Sequence, residues 1–355
     1  MTLAPGSIIG IIGGGQLGKM LAVAAAQLGY RCHIFEPGEG PCAADVAAKF
    51  TRAEYDDVEA LRRFADSVDV ATYEFENVPA ASLEAIAHKL RPGVASLQVG
   101  QDRGKEKEFI HGTGARVGAW ARVDSEEDAL AAERQLGAPL VLKTRRLGYD
   151  GKGQAWADRT GSVVHAWESI GREPAVAEAK VKFDCEFSVV LARGVDGTIA
   201  TWDLPLNIHE NGILRSSTVP AGDAVGRHRD EAIRVASRIA QDLGHVGVLT
   251  VEFFATADGA IVNEIAPRVH NSGHWTIEGA VTSQFEQHIR AICGLELGST
   301  DAVGASATME NLLGDEIDDW PRLIAEPDTH VHVYGKGEPR PGRKMGHVTR
   351  LQRAC

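Results

Sequence analysis

The sequence predicts a chain of mixed class, α/β at its start and α+β beyond, arranged as three successive units. Three observations carry that expectation. In residues 1–95, short apolar runs alternate with helix-like segments, the pattern of a parallel sheet with right-handed crossovers. In residues 96–295, β-like runs mix with helices and Gly-rich turns. In residues 296–355, a strand-like run leads into a Gly, Pro and basic stretch, read as an α+β tail packed back onto the rest.

Taken in order, residues 7–12 form an apolar run fit for a buried strand, and 13–15 a turn. Residues 16–28 are rich in Ala and Leu and read as a helix that Gly29 ends. A second strand is expected over 31–35, a helix over 58–65 and a third strand over 68–72. The middle unit offers a Gly-rich loop at 147–153, β-like runs at 186–191, 247–254 and 260–265, and a helix over 230–243. Residues 330–334 read as a strand of the tail.

Composition bounds the function. The chain has 355 residues, 44% of them hydrophobic, enough for a large core and two or three domains. A net charge of −12 argues against nucleic acid as a partner, although a local basic pocket can still hold a small anion. Five scattered cysteines show no CxxC pair or zinc-like spacing, so free thiols in a reducing compartment are expected. Neither a secretory leader nor a membrane span is legible, and the expected location is cytoplasmic.

Gly13, Gly15 and Gly18 fit the spacing G-x-G-x-x-G between a strand and a helix, with Glu36 ending the next strand. That is the dinucleotide-binding fingerprint, and alone it admits an NAD-dependent oxidoreductase. It equally admits another phosphate ligand at a helix N-terminus, or only a tight turn.

The middle of the chain carries more. Lys143 ends a strand before a loop with Gly148, Gly151, Gly153 and Lys152, whose amides and lysines suit a polyphosphate. It is not a P-loop, and a basic surface hairpin is the plainer alternative. Glu252 and Glu264 sit in successive apolar runs, where burial without a cation or partner would be costly. With Asn263 they offer oxygen ligands that suit Mg²⁺ on nucleotide phosphates, unless both simply face solvent. Lys336, Arg343 and Lys344 lie in a Gly/Pro-framed stretch that reads as a phosphate-ester site in an otherwise acidic chain.

Together these segments resemble the ATP-grasp superfamily and, within it, the N5-carboxyaminoimidazole ribonucleotide synthetase family. The resemblance rests on Gly13-Gly-Gly-Gln-Leu-Gly-Lys-Met20, Tyr73-Glu-Phe-Glu-Asn-Val78, Asp102-Arg103, Gly148-Tyr-Asp-Gly-Lys-Gly-Gln154, Asn263 through Thr276, Ser283-Gln-Phe-Glu286 and Arg340 through His347. It implies an ATP-grasp fold, with a Rossmann-like pre-ATP-grasp domain over 1–95, an ATP-grasp domain over 96–295 and a small C-terminal domain over 296–355. Leu147 stands where the family pattern has glycine.

The resemblance also implies roles. Arg103 and Lys143 would bind nucleotide, and Gly148, Tyr149, Asp150, Gly151, Lys152, Gly153 and Gln154 would cover its phosphates. Glu178, Ala179, Lys180 and Val181 would form the hinge that reads adenine, with Glu186 on the ribose and His209, in an expected loop at 207–211, as a further contact. Glu252 and Glu264 would hold Mg²⁺, with Asn263 beside them on the nucleotide. Gln16, Glu74, Tyr149, Asp150, Arg268, His270, Asn271, Lys336, Arg343 and Lys344 would contact 5-aminoimidazole ribonucleotide. Arg268 and His270 would lie near bicarbonate, Lys152 would neutralise charge, and Asp150 or His270 would take the amine proton.

The implied reaction is ATP-dependent carboxylation of that ribonucleotide in purine biosynthesis, in a homodimer that passes its product to a mutase. Another ATP-grasp ligase, such as the formate-dependent enzyme acting on glycinamide ribonucleotide, is the nearest rival.

Overall fold

A computed structural model describes residues 2–148 and 151–353, which form three sheets of four, four and nine strands. The first sheet is wholly parallel. Its strands β1 (Ile8–Ile12), β2 (Arg31–Phe35), β3 (Lys49–Thr51) and β4 (Val70–Tyr73) lie in the order β3-β2-β1-β4. Alternate residues feed two cores. Ile9, Ile11 and Ile34 pack with Leu21 and Ala25 of helix α1 (Gln16–Gln27), while Ile12 and Phe35 pack with Leu61 and Phe64 of helix α2 (Val58–Asp66). Both faces are therefore covered, which is why these strands read as continuous apolar runs. The three-residue β3 is too short to announce itself in sequence, and β4 starts at Val70 rather than at 68.

The second sheet comprises β5 (Trp120–Val123), β6 (Leu140–Thr144), β7 (Gln154–Ala157) and β8 (Ala175–Ala179), antiparallel in the order β5-β8-β6-β7. Ala129, Ala132, Ala166 and Trp167, from the helices Glu126–Leu136 and Val163–Ser169, complete its core.

The third sheet begins with β9 (Cys185–Arg193), β10 (Ile199–Thr201), β11 (Leu206–Glu210) and β12 (Ile213–Val219). It continues through β13 (Gly247–Thr256) and β14 (Gly259–Ala266) to β15 (Ser306–Leu313), β16 (Thr329–Val333) and β17 (Lys344–Gln352). Its order is β14-β13-β9-β11-β12-β15-β17-β16, with β10 on β9, so the tail extends the sheet of the middle unit. The segment 207–211, expected as a loop, is instead strand β11 running into its turn. Asn211 and Gly212, at φ 53° and 78°, make the two-residue hairpin turn to β12. An Asn-Gly pair favours that left-handed turn, so the residues before it stay in the ladder.

One helix joins the sheets. Arg103–Gly112 starts where the Asp102 carboxylate accepts from the amides of Gly104 (3.0 Å) and Lys105 (3.2 Å). That is a side-chain N-cap, worth about 1 kcal/mol. Its Arg103 reaches the third sheet and its Lys107 the second. Among the described residues no helix is long and apolar enough to cross a membrane, and Cys32, Cys42, Cys185 and Cys293 are free thiols.

Candidate active site

The Gly-rich turn after β1 is filled by the protein's own carboxylates. Glu74 accepts from the amides of Gly15 (2.6 Å) and Gly18 (2.7 Å), and Glu36 accepts from Gly14 (2.9 Å). A Cβ on Gly13 or Gly15 would come within 2.4 or 2.6 Å of the Glu74 side chain, so close approach of an anion explains the glycines, as the fingerprint implies. The anion, however, is internal. A dinucleotide pyrophosphate at these amides would meet Glu74, and the acidic residue expected to hold its ribose is already bonded to Gly14. Burial pushes the Glu74 carboxyl above its usual range, against the pull of the Gly18 and Gly15 amides. Gln16 opens α1 beside this turn.

A cluster of cations lies where α1 meets the tail. Lys19 Nζ donates to Tyr334 O (3.1 Å), and Lys336 Nζ donates to Lys344 O (3.1 Å) while lying over the Tyr334 ring. Burial, helped by Arg343, lowers Lys336 to about 8. Arg343 Nη1 donates to Glu338 O at 3.4 Å. Lys336, Arg343 and Lys344 thus lie in one neighbourhood, with Lys19 beside them.

The residues expected at the nucleotide converge between the second and third sheets. Glu178, on β8, lies 3.0 Å from Lys107 Nζ and 3.2 Å from Lys143 Nζ. Burial raises its carboxyl, but Lys143 and Lys107 outweigh that and bring it to about 2. Arg103 Nη1 donates to Glu264 at 2.7 Å, and its Nη2 to Gly148 O at 3.4 Å. Burial opposes ionisation of Glu264, yet Arg103 and Lys143 hold its carboxyl low. Glu106 is buried beside it, accepts from the Ile265 amide at 2.6 Å, and is pushed up by burial and by Glu264.

Around that cleft, Gly151 and Gly153 take positive φ, and a Cβ on Gly153 would strike Thr144 Oγ1 at 2.5 Å. Leu147 sits at φ 64° with 70% of its surface exposed, keeping the glycine conformation at a cost of about 1–2 kcal/mol. The turn residue Gly212 lies against Gly151, so loop and hairpin meet over the cleft. Lys152 is exposed on the loop and Gln154 exposed at the start of β7, whereas Tyr149 and Asp150 lie outside the described residues. In the hinge, the amides of Ala179 and Lys180 donate to Ala119 O and Pro139 O, and β8 ends before Val181. His209, on a strand, pairs closely with Glu186. Burial opposes its protonation, but Glu186 and Glu252 hold it above the usual histidine range.

Glu252 and Glu264 face each other in register across β13 and β14, with a bulge at Asn263. Asn263 Oδ1 is buried and has no hydrogen-bond partner. A spare oxygen acceptor beside two carboxylates fits a hard cation such as Mg²⁺. Among the described residues no group of three His, Cys, Asp or Glu side chains could hold a metal ion. His270 Nε2 lies 3.1 Å from Glu252, and its Nδ1 accepts from the Ser272 amide at 3.3 Å. Arg268 makes a two-pronged pair with Glu76, its Nη2 donating at 3.0 Å, and its Nη1 donates to Val269 O at 3.0 Å. Asn271 exchanges amide hydrogen bonds with Asn311.

Sequence reasoning missed Glu36 as a plug, Glu76, Glu106, Lys107 and Asn311. Glu36 carries a signal as the acidic residue of the fingerprint, and Glu76 as part of the Tyr73–Val78 segment. Lys107 reads as one more charge on a polar helix.

Comparison with known proteins adds three matching family patterns. Residues 7–101 match the ribonucleotide synthetase preATP-grasp domain, 108–285 the ATP-grasp domain, and 307–354 the phosphoribosylaminoimidazole carboxylase C-terminal domain. The chain is 49% identical to N5-carboxyaminoimidazole ribonucleotide synthase of Brucella melitensis, over 99% of this chain and 98% of that protein. It superposes on an ADP complex of an N5-carboxyaminoimidazole ribonucleotide synthetase with a TM-score of 0.95, at 40% identity, covering 99% of this chain and 94% of that one. It also resembles the Aspergillus clavatus synthase bound to ADP and 5-aminoimidazole ribonucleotide, with a TM-score of 0.91, 27% identity, and coverage of 98% and 94%.

Proposed function

The chain belongs to the N5-carboxyaminoimidazole ribonucleotide synthase family of ATP-grasp ligases, and from that premise we propose how its own residues carry the reaction. The reaction joins bicarbonate to the exocyclic amine of 5-aminoimidazole ribonucleotide at the expense of ATP, in purine biosynthesis. Neither the formate-dependent ligase nor an NAD enzyme is favoured by these relatives or by the filled glycine turn.

Bicarbonate alone is a poor acylating agent because hydroxide would have to leave. A bicarbonate oxygen therefore attacks the γ-phosphorus of ATP, the bond to the bridging oxygen breaks, and ADP and carboxyphosphate form. The amine nitrogen then attacks the carboxyl carbon, phosphate departs, and the amine loses a proton. Protein groups contribute mainly position and charge. Arg103, Lys143 and Lys152 lie along the polyphosphate, under the amides of Gly148, Gly151 and Gly153. The hinge carbonyls and the Val181 amide read the adenine, since the amides of Ala179 and Lys180 are spent on Ala119 and Pro139. Glu186, with His209 behind it, takes the ribose.

Glu252, Glu264 and the Asn263 carbonyl would hold Mg²⁺, which when bound neutralises charge on the phosphate oxygens. Arg268 and His270 border the bicarbonate end. Lys336, Arg343 and Lys344 receive the ribonucleotide phosphate, with Gln16, Glu74 and Asn271 framing its approach. Because both ring nitrogens of His270 are engaged, Asp150 is the better candidate for the amine proton. Tyr149, which precedes it in sequence, would contact the ribonucleotide. Assembly as a homodimer in the cytoplasm, with hand-off of the labile carbamate product to a mutase, completes the proposal.

The single observation that carries it is the register pairing of Glu252 with Glu264 beside the unpartnered Asn263 oxygen. The test is ADP release from Mg-ATP and bicarbonate, with and without 5-aminoimidazole ribonucleotide. Release that requires the ribonucleotide and yields carboxylated product supports the reading. ATP binding without such turnover overturns the substrate.

A further inference from the structure

Four buried polar side chains lead from the third sheet to His270. Ser217 Oγ donates to Asn207 Oδ1 (2.8 Å), and Asn207 Nδ2 donates to Ser188 Oγ (3.0 Å). Ser188 and Ser272 hydroxyls stand 2.7 Å apart, and Ser272 Oγ stands 2.9 Å from His270 Nδ1. Ser188, Ser217 and Ser272 are fully buried, and Asn207 nearly so. Three of the four lie on adjacent strands, β9, β11 and β12, and Ser188 is directly opposite Glu252 in the ladder.

The direction of donation follows from the ends. An amide nitrogen is an obligate donor, so Ser188 accepts from Asn207 and its own proton is left free for Ser272. Ser272 in turn donates to His270 Nδ1. Independently, the Ser272 backbone N–H also points at Nδ1, which must therefore carry a lone pair. The ring proton is then on Nε2, facing Glu252.

We propose that the Ser217–Asn207–Ser188–Ser272 chain is a positioning device that fixes the ring orientation and tautomer of His270, so that Nε2–H is aimed at Glu252. These four side chains, three of them on the sheet, are buried out of reach of water and find their hydrogen bonds in one another, and a chain of this kind rigidifies its terminus. Ser188, Asn207, Ser217 and Ser272 are positioning residues, acting through His270 as partners behind a ligand orient it. The inference rests on the reading of Glu252 and His270 as site residues given above.

The test is the nitrogen-15 spectrum of the histidine rings in the selectively labelled full chain, without ATP or metal. The His270 signals are identified by their loss in His270→Gln. The wild type should show the neutral Nε2–H tautomer, and Ser188→Ala and Ser272→Ala should each shift it toward a mixture. In both variants kcat should fall about tenfold, with KM for ATP changed less than twofold. Nδ1–H or doubly protonated His270 in the wild type overturns the proposal. So do unchanged His270 signals and kcat in Ser188→Ala. Either failure leaves the assigned reaction standing, whereas lack of ribonucleotide-dependent ADP release removes the reaction whatever the spectrum shows.

Discussion

The carboxylate of Glu74 sits 2.6 Å from the amide of Gly15, in the place where a helix N-terminus of this design would take a phosphate. Its second oxygen takes the Gly18 amide, so one side chain satisfies two donors of the first turn of α1. The sequence pattern that signals a dinucleotide thus signals an anion, and here the chain supplies it.

Removing that carboxylate leaves the buried Gly18 amide without a partner, which costs about 1–3 kcal/mol. We expect Glu74→Ala to lose about 2 kcal/mol of unfolding free energy in urea, and to raise KM for 5-aminoimidazole ribonucleotide more than KM for ATP. Wild-type stability would mean that water replaces the carboxylate.

Glu178 is held by two lysines, of which Lys107 is nearly inaccessible. Breaking a buried ion pair from one side costs about 3–5 kcal/mol, because the remaining charge is stranded. Glu178→Gln should therefore destabilise by about 3 kcal/mol and weaken ATP binding, measured by chemical denaturation and by nucleotide titration. Lys107→Met should cost less, since Lys143 still faces the carboxylate. The reverse order would show that Lys143 contributes little to the pairing.

How much of this was legible depends on how local each signal is. The alternation in residues 7–35 revealed β1, α1 and β2 because each buries a regular face within one stretch of chain. Glu252 and Glu264 could be paired because a short hairpin joins them. His209 was misplaced in a loop because its turn, Asn211-Gly212, occupies only two residues. Lys107 was invisible, since its helix is polar by composition and is buried only by being wedged between two sheets. Ser188, Asn207 and Ser217 line up only once β9, β11 and β12 are paired, and no spacing in the sequence encodes that row.

Buried histidines set the acid limit. Burial lowers His245 to about 4 and His288 to about 3, with His245 Nε2 on Val248 O and His288 on Thr72 and the Val248 amide. A base with a depressed folded pKa adds stability above its unfolded value, near 6.5, and loses it as pH falls toward the folded value. We expect unfolding free energy to drop between about pH 6.5 and 4, from urea denaturation at half-unit intervals. The drop should be shallower in His288→Gln, measured relative to its own value at pH 7.5. A flat profile over that range would mean that these rings take up protons without unfolding the chain.

Arg268 has its guanidinium fixed before any substrate arrives. Glu76 takes its Nε and Nη2, and Val269 O takes Nη1. A planar fork matched to a carboxylate cannot be reproduced by a lysine, which is a point charge on a flexible stem. Arg268→Lys keeps the charge and loses the geometry, so it separates electrostatic attraction from orientation. If Arg268 positions bicarbonate and the carboxyphosphate formed from it, kcat should fall about 100-fold with KM for ATP little changed, as when a preorganised donor is removed. Glu76→Gln should fall less, because one amide oxygen still accepts from the fork. Steady-state kinetics at saturating bicarbonate decides the matter: near-wild-type turnover in Arg268→Lys would leave Arg268 as a strut between the segment after β14 and the loop after β4, with no part in the chemistry.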